Sequence, residues 1–255
     1  MTPISVFIIT KNEADRIGNV IKMAAKIADE IIVIDSGSVD ETVKISSALG
    51  AKVIFNAWNG YGAQKIFGEL QCRNKWILNL DADEELSPEL CDEITRVFAD
   101  KIADAVAGFK IKIVNKFPFE QRPKKLAYYY NQIRLYNIDF AGFKNSTVHD
   151  SVVLKSPHQQ QILQLNNIVY HQSFRSYSHW LDKINSYSSM QAKDAFEKNK
   201  CPSIVKVFLT PTLAFLKAYF VRRYFIYGVN GIIYSYIFAF SRFVKMIKIR
   251  EIYRK

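Results

Sequence analysis

Along the first hundred residues, short apolar runs alternate with segments whose apolar residues recur at helical spacing. Apolar runs with the length of buried strands occupy 4–10, 30–34, 51–55 and 76–80. A helical pattern follows each run, and Ser87 and Pro88 have the cap and first-turn chemistry of a helix that continues to Phe98. This order predicts an α/β fold with a doubly wound, mostly parallel sheet, because crossovers between parallel strands are right-handed.

The last third of the chain has a different pattern. Residues 177–200 have the apolar spacing of an amphipathic helix. Two later segments, 203–219 and 232–249, are rich in Phe, Tyr, Leu and Ile and are punctuated by basic residues. We therefore expect an α/β domain over residues 1–175 and a helical extension over 176–255.

Charge is distributed unevenly between the two ends. The net charge of the 255 residues is +11, but residues 1–100 hold 10 basic and 16 acidic residues. Residues 101–255 hold 25 basic and 8 acidic residues. A basic, aromatic rear half is typical of proteins that bind nucleic acid or an anionic membrane. None of the common nucleic-acid-binding signatures appears, so we expect no nucleic-acid partner.

Cysteine and histidine usage excludes some classes of protein. Three cysteines without close spacing and four scattered histidines form neither a disulfide framework nor a zinc pattern. The apolar run at 4–9 has no basic segment before it and no cleavage site after it, so we expect no secretory signal. Both observations favour a cytoplasmic protein.

Polar side chains follow three of the predicted strands. Thr10 ends the first, Asp35 ends the second, and Asp81 and Asp83 follow the fourth. Open α/β sheets bind ligands at the carboxyl ends of their strands, and two aspartates there could hold a divalent cation and a diphosphate. A solvated acidic turn is the alternative. The glycine fingerprints of dinucleotide and P-loop sites are absent, so side chains and a cation would have to hold any nucleotide.

Four motifs occur in order along the front half: Ile9-Thr10-Lys11-Asn12-Glu13, Ile34-Asp35-Ser36-Gly37-Ser38, Gly60-Tyr61-Gly62-Ala63-Gln64-Lys65 and Leu78-Asn79-Leu80-Asp81-Ala82-Asp83-Glu84. Together they resemble family 2 glycosyltransferases, and within that family the lipopolysaccharide-core glycosyltransferases. The resemblance implies the GT-A fold, a nucleotide-sugar donor, a divalent cation and inversion of the anomeric carbon. It continues more weakly at 148–150 and 170–175.

The resemblance implies a nucleoside pocket at the ends of the first two strands. Thr10, Asn12 and Glu13 would line it, and Asp35 would accept a hydrogen bond from the pyrimidine N–H. A polar turn that only caps the next helix is the alternative for these residues.

The diphosphate would lie next to this pocket. Gln64 and Lys65 would open the third helix, with Lys65 offsetting diphosphate charge. Asp83 would bind Mg²⁺ or Mn²⁺ directly, and Asp81 would lie near the ribose or the metal as its supporting neighbour. A solvated helix face is the alternative for Lys65, and we expect Glu84 and Glu85 to form a solvated turn.

An inverting transfer also needs a base that takes the proton of the acceptor hydroxyl. Asp150 occupies the position where relatives have glutamate, and the resemblance makes it the expected base. A polar loop after the strand around 132–136 is the alternative. His171 is a possible additional metal ligand or a structural residue at a strand end. Departures from the family pattern at Val39, Glu41, Ile66 and 126–130 prevent the sugar specificity from being carried over.

The rear of the chain predicts membrane contact. Residues 224–241 are uncharged over 18 positions, the lower limit for a span, but glycines, an asparagine and serines interrupt them. Basic clusters flank this run, so we favour helices that lie in the membrane interface over a true span or a plain domain core. Anionic head groups would add roughly 1 kcal/mol per nearby basic side chain.

The sequence thus predicts a metal-dependent inverting hexosyltransferase, peripheral on the inner face of the cytoplasmic membrane. Its donor would be a nucleotide-sugar, UDP-linked in preference, and its acceptor a lipopolysaccharide-core or related membrane glycolipid. A metal-dependent nucleotidyltransferase is one alternative, although the Arg-containing glycine loop usual for that class is missing. A noncatalytic basic protein that binds membrane or nucleic acid through 199–255 is the other.

Overall fold

The chain forms two compact units. The computed structural model describes residues 3–144, 151–156 and 161–254. The two units are Met1–Val114 with Tyr129–His171, and Asn115–Tyr128 with Gln172–Lys255. The division therefore falls after residue 171, four positions before the expected domain boundary, and the second unit also takes in an earlier segment.

Ten strands and four helices build the α/β part of the described chain. The strands are β1 Ile4–Thr10, β2 Glu30–Asp35, β3 Lys52–Phe55, β4 Trp76–Asp81, β5 Glu84–Leu86, β6 Val106–Asn115, β7 Tyr129–Asn137, β8 Ala141–Phe143, β9 Val152–Leu154 and β10 Gln161–His171. The helices are α1 Ile17–Ala24, α2 Thr42–Ala48, α3 Tyr61–Leu70 and α4 Pro88–Ala99. Eight strands form one sheet in the order β3-β2-β1-β4-β7-β6-β10-β5, and β8 and β9 form a separate pair.

The first half of the sheet is parallel, as the alternating pattern predicts. Strand β1 pairs in parallel with β2 and β4, and β2 pairs in parallel with β3. Every residue of β1 is buried, because a parallel strand at the centre of a sheet has helices against both faces. The α/β class and the GT-A type of sheet are confirmed.

The second half of the sheet is antiparallel. Strand β7 pairs antiparallel with both β4 and β6, and β10 pairs antiparallel with β5. A parallel connection needs a crossover that is usually helical, and the segment that joins β6 to β7 contains no helix. Beyond β4 in the strand order, the sheet is therefore antiparallel. Three of the four strands there come after residue 100, where the sequence shows no alternation of strand and helix signals.

Helix α4 begins as its sequence predicts. The Ser87 hydroxyl oxygen accepts a hydrogen bond from the Leu90 N–H at 3.2 Å, and Pro88 occupies the first turn. Helix α3 lies unusually close to β1, since a Cβ added at Gly68 would come within 2.5 Å of the Phe7 ring. Only glycine at this position permits that approach, which brings the start of α3 towards the ends of β1 and β4.

The second unit is helical and has an aromatic core. Its helices are α5 Tyr177–Glu197, α6 Ile204–Leu216 and α7 Val229–Ile252. Phe117 stacks on Tyr234 with ring centroids 4.1 Å apart, and Phe174 stacks on Trp180 at 4.2 Å. Offset and edge contacts among large rings stabilise a small helical core beyond the area that they bury.

One helical segment of the described chain has the length and composition to cross a membrane. It runs from Ile204 through a π-helical turn to Val221, and only 11% of this window is buried. The uncharged run at 224–241 does not form a single helix. It contains a 3₁₀ turn at Tyr224–Tyr227 and then Gly228 at φ 59°, after which α7 begins.

Candidate active site

The register of the sheet gathers the polar strand ends at one edge. Thr10 of β1 lies opposite Asp35 of β2, and Ile9 lies opposite Asp81 of β4. The Thr10 hydroxyl is buried, and among the described residues it has no hydrogen-bond partner. A buried hydroxyl without a partner costs free energy, so this atom is suited to a ligand at the strand ends.

Asn12 and Glu13 join the loops that follow β1 and β2. Asn12 has a left-handed φ of 55°, its amide oxygen accepts from the Val39 N–H at 2.8 Å, and its own N–H donates to the Ser38 hydroxyl at 2.8 Å. The Glu13 N–H donates to the Thr42 hydroxyl at 2.8 Å. These contacts give both residues a structural role, and their contact with a nucleoside stays a prediction.

Asp35 closes the loop after β2. One carboxylate oxygen accepts from the N–H groups of Gly37 and Ser38, both at 2.9 Å, and the other accepts from the Ser38 hydroxyl. These donors fix the carboxylate at the end of β2. Its predicted hydrogen bond with a pyrimidine would have to use the remaining lone pairs.

Gln64 and Lys65 are both buried at the start of α3, but they contact different parts of the protein. Gln64 exchanges two hydrogen bonds with Asn56, at 2.8 and 3.2 Å, and so ties α3 to the segment after β3. The Lys65 ammonium lies 3.1 Å from Asp81 Oδ1, with the side chain 1% exposed. Lys65 is therefore not on a solvated helix face, which excludes the alternative reading of this residue.

Asp81 lies between two cations. In addition to Lys65, the Arg134 guanidinium lies 3.5 Å from Asp81 Oδ2. Burial disfavours the charged form of Asp81, but Lys65 and Arg134 outweigh burial and hold its pKa well below the usual range. Asp81 is thus a permanent anion whose charge is already offset by protein groups.

Arg134 is the centre of a buried polar network that the sequence did not suggest. It donates to Asn79 Oδ1 at 2.7 Å and to Glu84 Oε1 at 2.6 Å, and it is 4% exposed. The other Glu84 oxygen accepts from the Asp81 N–H at 3.1 Å. Glu84 is fully buried, so the expectation that it belongs to a solvated turn was wrong. Burial raises the pKa of Glu84, against the opposing effect of Arg134.

Asp83 pairs with His171 across a strand contact. In the antiparallel pair of β5 and β10, Glu84 lies opposite His171, and His171 Nε2 lies 3.4 Å from Asp83 Oδ1. The other Asp83 oxygen lies 3.9 Å from the Arg16 guanidinium. His171 Nδ1 lies 3.1 Å from the Tyr130 hydroxyl.

This pairing shifts both pKa values in the expected directions. Burial opposes the charged forms of both groups, but the hydrogen bond and the attraction between them prevail. The pKa of Asp83 is therefore lowered and that of His171 is raised. A bound cation would compete with the proton on His171 for the same ring nitrogen.

The residues fit a cation that is shared with a substrate diphosphate. In the described ranges, no group of three or more His, Cys, Asp or Glu side chains could hold a metal by itself. Asp83 and His171 offer two ligands, whereas Asp81 is already paired with two protein cations. Mg²⁺ is usually bound through one or two carboxylates plus substrate phosphates. Asp83 is the better candidate of the two aspartates, and direct metal contact by Asp81 stays a prediction.

One predicted residue lies outside the described part of the chain, and three residues of the site were not predicted. Asp150, the expected base, lies outside the described residues, as do its neighbours 148 and 149. Arg16, Tyr130 and Arg134 were not selected from the sequence. Only Arg134 had a usable signal there, as the single cation within the strand-like stretch 129–137.

Comparison with known proteins gives the family. The family profile described as glycosyl transferase family 2 matches residues 5–179. An uncharacterized glycosyltransferase of Rickettsia bellii (strain RML369-C) is 46% identical over 254 residues, which cover 98% of this chain and 86% of that protein. The lipopolysaccharide core biosynthesis glycosyltransferase LpsC of Rhizobium meliloti (strain 1021) is 27% identical over 267 residues, covering 98% and 92%.

The chain also aligns with solved structures. S. aureus TarS 1-349 in complex with UDP-GlcNAc aligns at a TM-score of 0.47 and 14% identity, covering 100% of this chain and 92% of that one. Glucosyl-3-phosphoglycerate synthase from Mycobacterium tuberculosis, in complex with Mn²⁺, UDP and glucosyl-3-phosphoglycerate, aligns at 0.34 and 21%, covering 46% and 44%. From the extent of the profile match and the identity to its relatives, this chain belongs to glycosyltransferase family 2.

Proposed function

We propose that the protein transfers a hexose, with inversion, from a UDP-sugar to a lipopolysaccharide-core or related cell-envelope glycolipid. The observation that carries the proposal is the Asp83–His171 pair beside the Lys65–Asp81 pair at the carboxyl ends of the parallel strands. The strand ends of an open α/β sheet are where such folds bind ligands. The identity to LpsC, whose name places it in lipopolysaccharide core biosynthesis, supports the class of acceptor.

The donor would lie across the ends of β1, β2 and β4. The Thr10 hydroxyl and the Asp35 carboxylate would face the nucleoside, and the diphosphate would extend towards Asp83. Asp83 and His171 would hold Mg²⁺ or Mn²⁺, which supplies positive charge that stabilises the departing diphosphate. Lys65 keeps Asp81 ionised and fixed, and Arg134 holds its other oxygen.

The transfer itself would be a single displacement. As the acceptor oxygen forms its bond to the anomeric carbon, the bond from that carbon to the diphosphate oxygen breaks on the opposite face. The acceptor proton must leave at the same time, and Asp150 is the proposed base. The nucleoside diphosphate departs with the electron pair of the broken bond.

We place the enzyme on the cytoplasmic face of the cytoplasmic membrane, as a peripheral protein. The segment Ile204–Val221 supports contact with a membrane, because it is apolar and only 11% of it is buried. A glycolipid acceptor is held in a bilayer, so an enzyme that lies in the interface meets it without extracting it.

Nucleotide binding tests the cation site without depending on the acceptor. We expect Asp83→Ala to lose the part of UDP affinity that EDTA removes from the wild type, as measured by calorimetry. Glu85→Gln is the matched control, since it removes a charge two residues away, on β5, and should leave the EDTA effect unchanged. Equal UDP affinity of wild type and Asp83→Ala, with and without EDTA, would eliminate the proposed cation site.

A further inference from the structure

Two arginines of the second unit lie over the same aromatic ring. The guanidinium carbon of Arg222 is 4.4 Å from the ring centroid of Phe238 and 5.2 Å from that of Tyr128. The guanidinium carbon of Arg242 is 4.9 Å from the same Phe238 centroid. Phe238 and Arg242 are four residues apart on α7 and so share one helix face. The fold therefore brings two positive charges together at one ring.

Within the described ranges, no carboxylate offsets the charge of this arginine pair. Among the described residues, neither arginine forms an ion pair with an acid, and the ion pair found in this unit joins Lys198 to Asp194. The Nε atom of Arg222 is buried and has no hydrogen-bond partner within the described chain. Burial, together with the charge of Arg222, lowers the pKa of Arg242. Two like charges in a partly desolvated place destabilise the folded protein unless an anion joins them.

The rings constrain what kind of anion fits. A guanidinium held over an aromatic face keeps its N–H edge available, and that edge matches the paired oxygens of a phosphate. Both arginines are partly exposed, and Arg222 also donates a hydrogen bond to the Tyr224 hydroxyl, so an anion would use the N–H groups that remain.

The surface beside the pair is apolar and exposed. Arg222 directly follows the Ile204–Val221 segment, at whose end Phe220 is 60% exposed and Val221 is 64% exposed. Phe225, on the other side of Arg222, is 47% exposed. In a bilayer interface, apolar side chains enter the acyl region and adjacent basic side chains reach the head-group phosphates.

We propose that Arg222 and Arg242 form a binding site for the phosphate of an anionic lipid head group. The inference rests on the membrane association proposed above and adds lipid selectivity to it. The apolar segment supplies attraction to any bilayer, and the arginine pair supplies the preference for an anionic phosphate. Inorganic phosphate offers the same chemistry without the apolar surface, so it serves as the comparison ligand in the test.

Cosedimentation of the full chain with lipid vesicles tests the site. Vesicles of phosphatidylcholine alone are compared with vesicles that also contain phosphatidylglycerol, at constant ionic strength. We expect Arg222→Gln/Arg242→Gln to bind phosphatidylglycerol vesicles about 30-fold more weakly, since each basic side chain at an anionic surface contributes roughly fivefold. Its binding to phosphatidylcholine alone should be unchanged.

A matched pair of substitutions separates the site from general charge. Lys193→Gln/Lys200→Gln removes the same charge from two exposed positions of this unit and should weaken binding by less than about threefold. An equal loss in both double variants would overturn the arginine site. If the glutamine variant also loses phosphatidylcholine binding, the deciding comparison is between wild type and Arg222→Lys/Arg242→Lys. The lysine variant keeps the positive charges but lacks the paired N–H edge of arginine. Weaker phosphatidylglycerol binding by the lysine variant supports the site, and wild-type binding overturns it.

Two further outcomes are distinguishable. A wild type that binds neither kind of vesicle overturns the membrane association itself, whatever the arginines do. A wild type that binds inorganic phosphate in solution but shows no preference for phosphatidylglycerol over phosphatidylcholine vesicles overturns the assignment to a lipid and leaves a site for soluble phosphate.

Discussion

Arg134→Met gives the sharpest test of the buried network at the strand ends. Methionine fills a similar volume but cannot donate to Asn79 or Glu84, whose oxygens lie 2.7 and 2.6 Å from the guanidinium. The fully buried Glu84 carboxylate would lose its main counter-charge, and removal of one partner from a buried pair typically costs about 3–5 kcal/mol. Asp81 would keep Lys65 as its partner.

Protonation of Glu84 limits this cost and makes it depend on pH. With an unfolded-state pKa of about 4.3, protonation of a glutamate at pH 7 costs about 3.7 kcal/mol, and at pH 5 about 1 kcal/mol. Burial already raises the pKa of Glu84 in the wild type, and loss of Arg134 raises it further, so the penalty of the variant falls as pH decreases from 7 towards 4.3. We therefore expect a loss of at most about 3–4 kcal/mol at pH 7 that shrinks by up to about 2.7 kcal/mol at pH 5.

Urea unfolding at the two pH values measures both quantities. Arg134→Met/Glu84→Gln is the matched control, because without the buried carboxyl the change between pH 7 and pH 5 should disappear. A loss of less than about 1 kcal/mol at pH 7, or an equal loss at both pH values, would refute the reasoning that Arg134 compensates a buried charge.

Three other predictions test separate parts of the account. Glu93, whose pKa is lowered by hydrogen bonds from Asn166 and Asn167 against the effect of burial, stabilises the fold above its unfolded pKa and loses that effect in acid. Glu93→Gln should thus lower the free energy of unfolding by about 1–3 kcal/mol at pH 7 and by progressively less below pH 4.3, as measured by urea unfolding. A difference between variant and wild type that grows in acid would contradict this. Gly68→Ala should lower stability by about 1–3 kcal/mol, since its Cβ meets a ring, whereas Gly18→Ala, which meets only ordinary contacts, should raise it by about 0.5–1 kcal/mol. Asp150→Asn should keep UDP binding but abolish transfer, and wild-type turnover would eliminate it as the base.

The local elements of the front half could be predicted from the sequence. Strand β1 has the predicted bounds, the helix predicted after it is α1, and Ser87 caps α4 as expected. These features depend on hydrophobic periodicity and on capping chemistry within a few residues, which a single sequence displays directly. The position of Asp81 at the end of β4 followed from the same reasoning.

The surroundings of the acidic turn could not be predicted in this way. His171 reaches Asp83 because β10 pairs with β5, a contact between strands far apart in the sequence that local periodicity does not encode. Glutamate is rarely buried without a partner, and the partner of Glu84, Arg134, lies on a distant strand. Long-range pairing, rather than residue type, decided the role of each of these side chains.

The central claim is that this chain transfers a hexose from a nucleotide-sugar with the help of a cation held by Asp83. The most direct measurement incubates the protein with UDP- and GDP-sugars and truncated core glycolipid and reads the product by mass spectrometry. We predict a glycolipid that is heavier by one hexose from a UDP-sugar, formed by wild type in Mg²⁺ or Mn²⁺ and absent with EDTA or with Asp83→Ala. A product that forms equally in EDTA and in Asp83→Ala would contradict the account.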